Sequence, residues 1–235
     1  MDLRLEPCPE ARPLVLPVLR QQYELFNQRV HGFNPEPLEL SRLNWRRRDH
    51  LYLPKRQFLI RKYGVVADNW DSSCLSHVMQ RLRPTRGRRI RSYCDQLETR
   101  YRLREETRKA WDEIQDSCLG TSCLIRVEQD SYHAGKSPEE VMGTLRPGEF
   151  AFDPYIYYMM MYAAHEAQTP TMNSKSIGFA TCSGAQYDFQ GKNRWSDATR
   201  WEYRRNTWYL DWNFPGRARD DYFNLTGYVV KRSEY

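Results

Sequence analysis

The stretch Asp153-Pro-Tyr-Ile-Tyr-Tyr-Met-Met-Met-Tyr-Ala-Ala-His-Glu-Ala-Gln168 carries no charged side chain from Tyr155 to Ala164. Asp153 suits a helix cap, and Pro154 suits the first helical turn, where its missing N–H has no intrahelical partner to lose. A helix apolar on every face belongs in an interior. Ten residues span roughly 15 Å as a helix, well short of the ~30 Å hydrocarbon core of a bilayer, so burial in protein is expected. Tyr155, Tyr157, Tyr158 and Tyr162 take four phenols into that interior. Each needs a hydrogen-bond partner when buried, and each becomes an anion in strong alkali.

Working outward, Pro147-Gly148 breaks the chain before this helix, and Ser137-Pro138-Glu139-Glu140 starts a shorter one with a cap, a first-turn proline and two acids. Cys123 to Gln129 suits a short strand. From Arg88 to Gly120, Ile90, Cys94, Leu97, Tyr101, Trp111, Ile114 and Cys118 keep nearly one face of a helix. Opposite charges four apart, such as Arg91–Asp95 and Glu98–Arg102, support a single long charged helix serving as strut or interface. Asp71 to Leu82 reads as a helix with Leu75, Val78, Met79 and Leu82 inward, and Pro17 to Val30 as another.

The ends differ in texture. Pro7, Pro9, Pro13 and Pro17 space an apolar arm over 1–17, whose Leu3, Leu5, Leu14, Val15 and Leu16 must lie on something. That surface is either the chain's own domain or a neighbouring subunit. Thr169 to Arg194 is rich in Gly, Ser, Thr and Asn and reads as loop. Trp208, Leu210, Trp212 and Phe214 then alternate with polar neighbours as a strand does, and Tyr222 to Lys231 suits a returning strand. These readings predict a mainly α protein: one helical core over 18–168, an extended N-terminal arm, and a loop-rich, β-hairpin part over 169–235 of the same domain.

Among 235 residues, Lys and Arg number 36 against 30 acids. The excess sits in the first half, and Arg outnumbers Lys heavily. Arginine's planar fork suits ion pairs, ring stacking and phosphate. Arg42 to Lys62 interleaves eight basic groups with Trp45, Tyr52 and Phe58, and Arg46, Arg47, Arg48, Arg88, Arg89 and Arg91 form a candidate basic interface. The start has no basic segment, apolar run and cleavage site of a signal peptide, and no run reaches transmembrane length. Of six cysteines, Cys8, Cys118, Cys123 and Cys182 are candidates for disulfides. Cys118 and Cys123 flank a glycine turn, while Cys8 and Cys182 lie in arm and loop, accessible to a second subunit. The alternative is buried, inert thiols.

Chemical motifs are sparse. Gly135-Lys136-Ser137 resembles the end of a phosphate loop, but Asp130 stands where that pattern needs glycine, so a helix cap explains it better. Cys74-x-x-His77 has metal-ligand spacing without a second pair. His165-Glu166 adjoin in sequence, yet neighbours on a helix point about 100° apart. No enzyme and no cofactor are expected.

Two functional classes follow: a self-assembling structural protein, which explains arm, arginines, rings and thiols together, and a basic nucleic-acid-binding protein of nucleocapsid or virion-associated type. In its Tyr-rich, cysteine-bearing compact character the chain resembles the matrix proteins of viral occlusion bodies, the polyhedrins, and among them the helical nudivirus type. No motif carries this resemblance, and the strand-dominated baculovirus and cypovirus forms differ from the helical reading. It implies copies of the chain as partners in a lattice that encases virions and involves no membrane. The lattice would form inside the host cell, in the nucleus rather than the cytoplasm, persist outside the host, and dissolve in alkali. The tyrosines would supply the trigger, since arginine keeps its charge there; assemblies are expected to hold to pH 9 and dissolve above it.

Overall fold

The computed structural model describes residues 16–30, 44–63, 75, 78–83, 89–92, 100–117, 120–128, 133, 135–167, 179–188, 197–204, 207–213 and 222–231. In chain order these give α1 (Leu19–Arg29), β1 (His50–Pro54), α2 (Arg56–Tyr63), β2 (Arg89–Ser92), β3 (Tyr101–Leu103), α3 (Glu105–Ser117) and β4 (Ser122–Glu128). Then come α4 (Pro138–Gly143), β5 (Glu149–Ala151), α5 (Pro154–Glu166), β6 (Phe179–Tyr187), β7 (Asp197–Arg204), β8 (Thr207–Asn213), β9 (Tyr222–Asn224) and β10 (Thr226–Val229).

The expectation of a mainly α chain is overturned. The strands form two sheets, one in the order β1-β4-β10-β5 and the other β2-β8-β7-β6-β3 with β9 beside β6. The long helix expected over 88–120 divides: its start is β2, paired in parallel with β8, then β3 pairs with β6, and the helix α3 begins only after it, at Glu105–Ser117. Pairing with strands more than eighty positions away outweighs the four-apart charge pairs, each worth only ~0.2–0.5 kcal/mol. The loop expected at 169–194 contains β6. Its small residues suit close packing: Arg104 N donates to Gly184 O at 2.9 Å, and Gly184 N to Phe152 O at 3.1 Å. The C-terminal hairpin is β7–β8. The return over 222–231 is two strands in different sheets, β9 beside β6 and β10 between β4 and β5.

Helix α5 lies at the centre as its composition requires. Every residue from Pro154 to Ala164 is buried. Asp153 Oδ1 accepts from Ile156 N at 2.9 Å, capping the helix, while Oδ2 accepts from Trp111 Nε1 at 2.8 Å and lies 3.6 Å from Arg56. The Arg56 guanidinium stands 5.3 Å over the Trp111 ring, so a buried cation is held by both charge and π-face. Ser137 and Glu140 close a reciprocal capping box on α4, which assigns Gly135-Lys136-Ser137 to a helix start. Gln22 of α1, fully buried, donates to Pro17 O and His50 O and accepts from Tyr52 N, covering the outer edge of β1.

Candidate phosphate-binding groove

Paired residues across adjacent strands share a face of the sheet. His50 of β1 lies opposite Arg126 of β4, and Arg126 opposite Tyr228 of β10, so one row carries an imidazole, a guanidinium and a phenol. Their odd-numbered neighbours Leu51, Ile125 and Val127 turn to the core, where all three are buried. The outward row floors a groove of about 400 Å³, lined also by Arg47, Glu113, Gly148, Val229, Val230 and Lys231. Gly148 takes φ 76°, a left-handed turn that brings the backbone to the rim without a side chain.

Charge in the groove is arranged by contacts. Arg126 lies 4.6 Å over the Tyr228 ring, which fixes the plane of its guanidinium. Lys231 Nζ sits 3.0 Å from Glu113 Oε1. Arg47 is 2.9 Å from His50 Nε2, and His50 Nδ1 is 2.8 Å from Asp49 Oδ1. Burial holds the His50 ring below the usual histidine range, only partly offset by Asp49. Three cations against one rim carboxylate, beside an aromatic ring, suit an anion that also carries a flat apolar group.

Of the expected basic interface, Arg47 enters this groove. Arg46 and Arg48 are exposed, with Arg48 donating to Leu16 O at 3.4 Å. Arg89 and Arg91 belong to β2 in the other sheet, and Arg88 lies outside the described residues. Arg126, Tyr228 and Lys231 were not anticipated. The one available signal was Arg126 interrupting the apolar run Cys123 to Val127; its partners become visible only through strand pairing.

The remaining candidates separate. Leu3, Leu5, Cys8, Leu14, Val15, Cys74, His77 and Cys118 lie outside the described residues, whereas Leu16 is wholly buried within its own subunit. Cys123 and Cys182 are buried thiols in β4 and β6. Cys182 in particular lies in a strand rather than an open loop, so the expected intersubunit link through it is corrected: a second chain cannot reach its sulfur without opening the sheet. Glu166 of the His165-Glu166 pair meets Arg29 at 3.3 Å and His165 only at 4.0 Å, an ion pair between α1 and α5 rather than a dyad.

The four phenols of α5 stand apart as structural ties. Tyr155 donates to Pro54 O at 2.8 Å, Tyr158 donates to Leu82 O, and the Tyr157 oxygen accepts from Leu225 N at 2.6 Å. Tyr162 stacks on Tyr158 with centroids 6.4 Å apart. Burial pushes the Tyr157 and Tyr158 phenols far above their ordinary value, and burial aided by Glu166 pushes Tyr162 up to about 12.

Among the described residues no cluster of His, Cys, Asp and Glu is arranged to hold a metal ion, and no helix is long and apolar enough to cross a membrane. Comparison of the chain with protein-family models, curated proteins and solved structures gave no match in any of the three.

Proposed function

We propose that the chain binds single-stranded nucleic acid, seating a phosphate among Arg47, Arg126 and Lys231 and a base near the Arg126–Tyr228 platform. The observation that carries this reading is the convergence of those side chains from three separate segments on one groove. Its 400 Å³ suits one nucleotide at a time rather than a duplex. Flat stacking surfaces beside cations bind bases of any sequence, because every base has a π-face. Fluorescence anisotropy with a labelled single-stranded oligonucleotide tests it. Three phosphate contacts on a single strand give a log–log salt slope of about −2, a loss of roughly tenfold or more between ~50 and ~200 mM salt. Absence of binding at ~50 mM salt, or binding indifferent to salt, sinks the reading.

A second proposal keeps the self-assembling matrix of an occlusion body, favoured by one observation. Three phenols of α5 tie the central helix to backbone at Pro54, Leu82 and Leu225, so alkali attacks the core of the subunit. Light scattering of purified protein from pH 6 to 12 tests it. Ordered assemblies that persist past pH 9 and then dissolve support the matrix, and a soluble monomer throughout removes it.

A further inference from the structure

We propose that His50 is a positioning residue of the groove: oriented by Asp49, its neutral ring accepts a hydrogen bond from Arg47 and aims that guanidinium at the phosphate, so that acid loosens the grip. This inference rests on the nucleic-acid reading of the same groove.

The tautomer follows from the partners. Arginine stays protonated and can only donate, so His50 Nε2 at 2.9 Å from Arg47 must present its lone pair. The ring proton then sits on Nδ1, donating to Asp49 Oδ1 at 2.8 Å. His50 is 1% exposed, and its backbone is pinned by Gln22 at its carbonyl, so the ring has little room to turn. Arg47 by contrast is exposed, on the turn before β1, and the His50 ring nitrogen is the acceptor that sets its direction. The charged groups facing the imidazole are Asp49 and Arg47 from its own segment and Arg126 from the paired strand. A second proton on His50 would place an N–H against the Arg47 N–H and a third positive charge beside two arginines. Arg47 would leave. The ring's position below the ordinary histidine range, caused by burial, keeps the acceptor form in place at neutral pH.

The sign separates this device from simple electrostatics. A basic groove that merely gains a proton binds a polyanion more tightly in acid. Here the protonated ring expels a phosphate-binding arginine, and binding weakens. Anisotropy of the labelled oligonucleotide at fixed ionic strength, from pH 8 to 4.5, is expected to show a roughly tenfold loss of affinity toward acid, the scale of one charge-assisted hydrogen bond. Asp49→Asn, at an exposed side chain, removes the carboxylate that favours the charged ring, and shifts the midpoint of that loss to lower pH. Arg47→Ala binds weakly at all pH and loses the acid limb. Long-range proton–nitrogen spectra of the chain without oligonucleotide are expected to show His50 protonated on Nδ1, with circular dichroism confirming the fold at each pH. An Nε2–H tautomer overturns the relay whatever the groove binds. Binding at neutral pH that strengthens in acid, or an acid limb unmoved in Asp49→Asn, overturns it while the nucleic-acid reading stands. Failure to bind at pH 7.5 overturns both.

Discussion

Tyr155 donates its phenol hydrogen to the carbonyl of Pro54 at 2.8 Å, joining the first turn of the central helix to the end of an edge strand 101 positions earlier. Both groups are buried, so neither has water to fall back on. Tyr155→Phe keeps the ring and orphans the Pro54 carbonyl, which costs about 1–3 kcal/mol. Urea unfolding of this variant is expected to show a lower midpoint with an unchanged slope, since the surface exposed on unfolding is the same.

Alkali acts on the next two turns. A phenol whose folded-state pKa stands above the unfolded value near 10 contributes stability that is complete below about pH 10 and is lost as pH rises through the folded value. For Tyr162 that window runs from about 10 to about 12; for Tyr157 and Tyr158 it extends further. Unfolding followed by circular dichroism is therefore expected to begin above pH 10 rather than just above 9. Tyr162→Phe should raise its midpoint and release one proton fewer. An unmoved midpoint would detach this ring from the transition.

How far the sequence carried is visible in two neighbouring segments. Asp153-Pro154 and the uncharged run after them are local signals, and α5 starts and ends within two residues of where they place it. The segment from Arg88 onward gave an equally regular helical pattern, yet Arg89–Ser92 is a strand, because its partner Thr207–Leu210 supplies the pairing from far along the chain. Pairing of that kind leaves no local trace. The groove shares this fate: Arg47 was legible in a basic run, but Arg126 and Tyr228 meet it only through the register of β1, β4 and β10.

Within that groove, Arg126→Ala removes both a phosphate contact and the cation held over Tyr228. It is expected to weaken oligonucleotide binding about tenfold and to flatten the salt slope by about 0.7, the contribution of one contact on a single strand. Tyr228→Ala should weaken binding while leaving the salt slope in place, because a ring releases no counterions. Anisotropy at several salt concentrations separates the two effects.

Asp153 carries the helix cap, the Trp111 hydrogen bond and the Arg56 ion pair at once, with its side chain wholly buried. Removing one partner of a buried ion pair leaves the other charge uncompensated. Asp153→Ala is thus expected to destabilise the chain by about 3–5 kcal/mol in urea unfolding. Adding Arg56→Met should recover part of that loss, since a buried charge no longer lacks its counterpart.

Gly184 gives the sharpest packing prediction. It sits in β6 where the strand crosses β5 of the other sheet, and a Cβ there would fall on the Ala151 carbonyl oxygen and within 2.6 Å of Thr107 Oγ1. The Thr107 hydroxyl itself donates to Ala151 O at 3.0 Å, so the added methyl meets two groups already bound to each other. Backbone cannot rotate aside as a side chain can, and both Gly184 N and Gly184 O are committed, to Phe152 and Arg104. Gly184→Ala must separate the two sheets or break those bonds. Overpacking costs about 1–3 kcal/mol in an adaptable core, and this site is expected to lie at or beyond the upper end. Gly143→Ala, where a Cβ meets nothing within 4 Å, is the control and should unfold at or above the wild-type urea concentration. If the two variants unfold alike, the close approach of the sheets at Gly184 is not what holds them together.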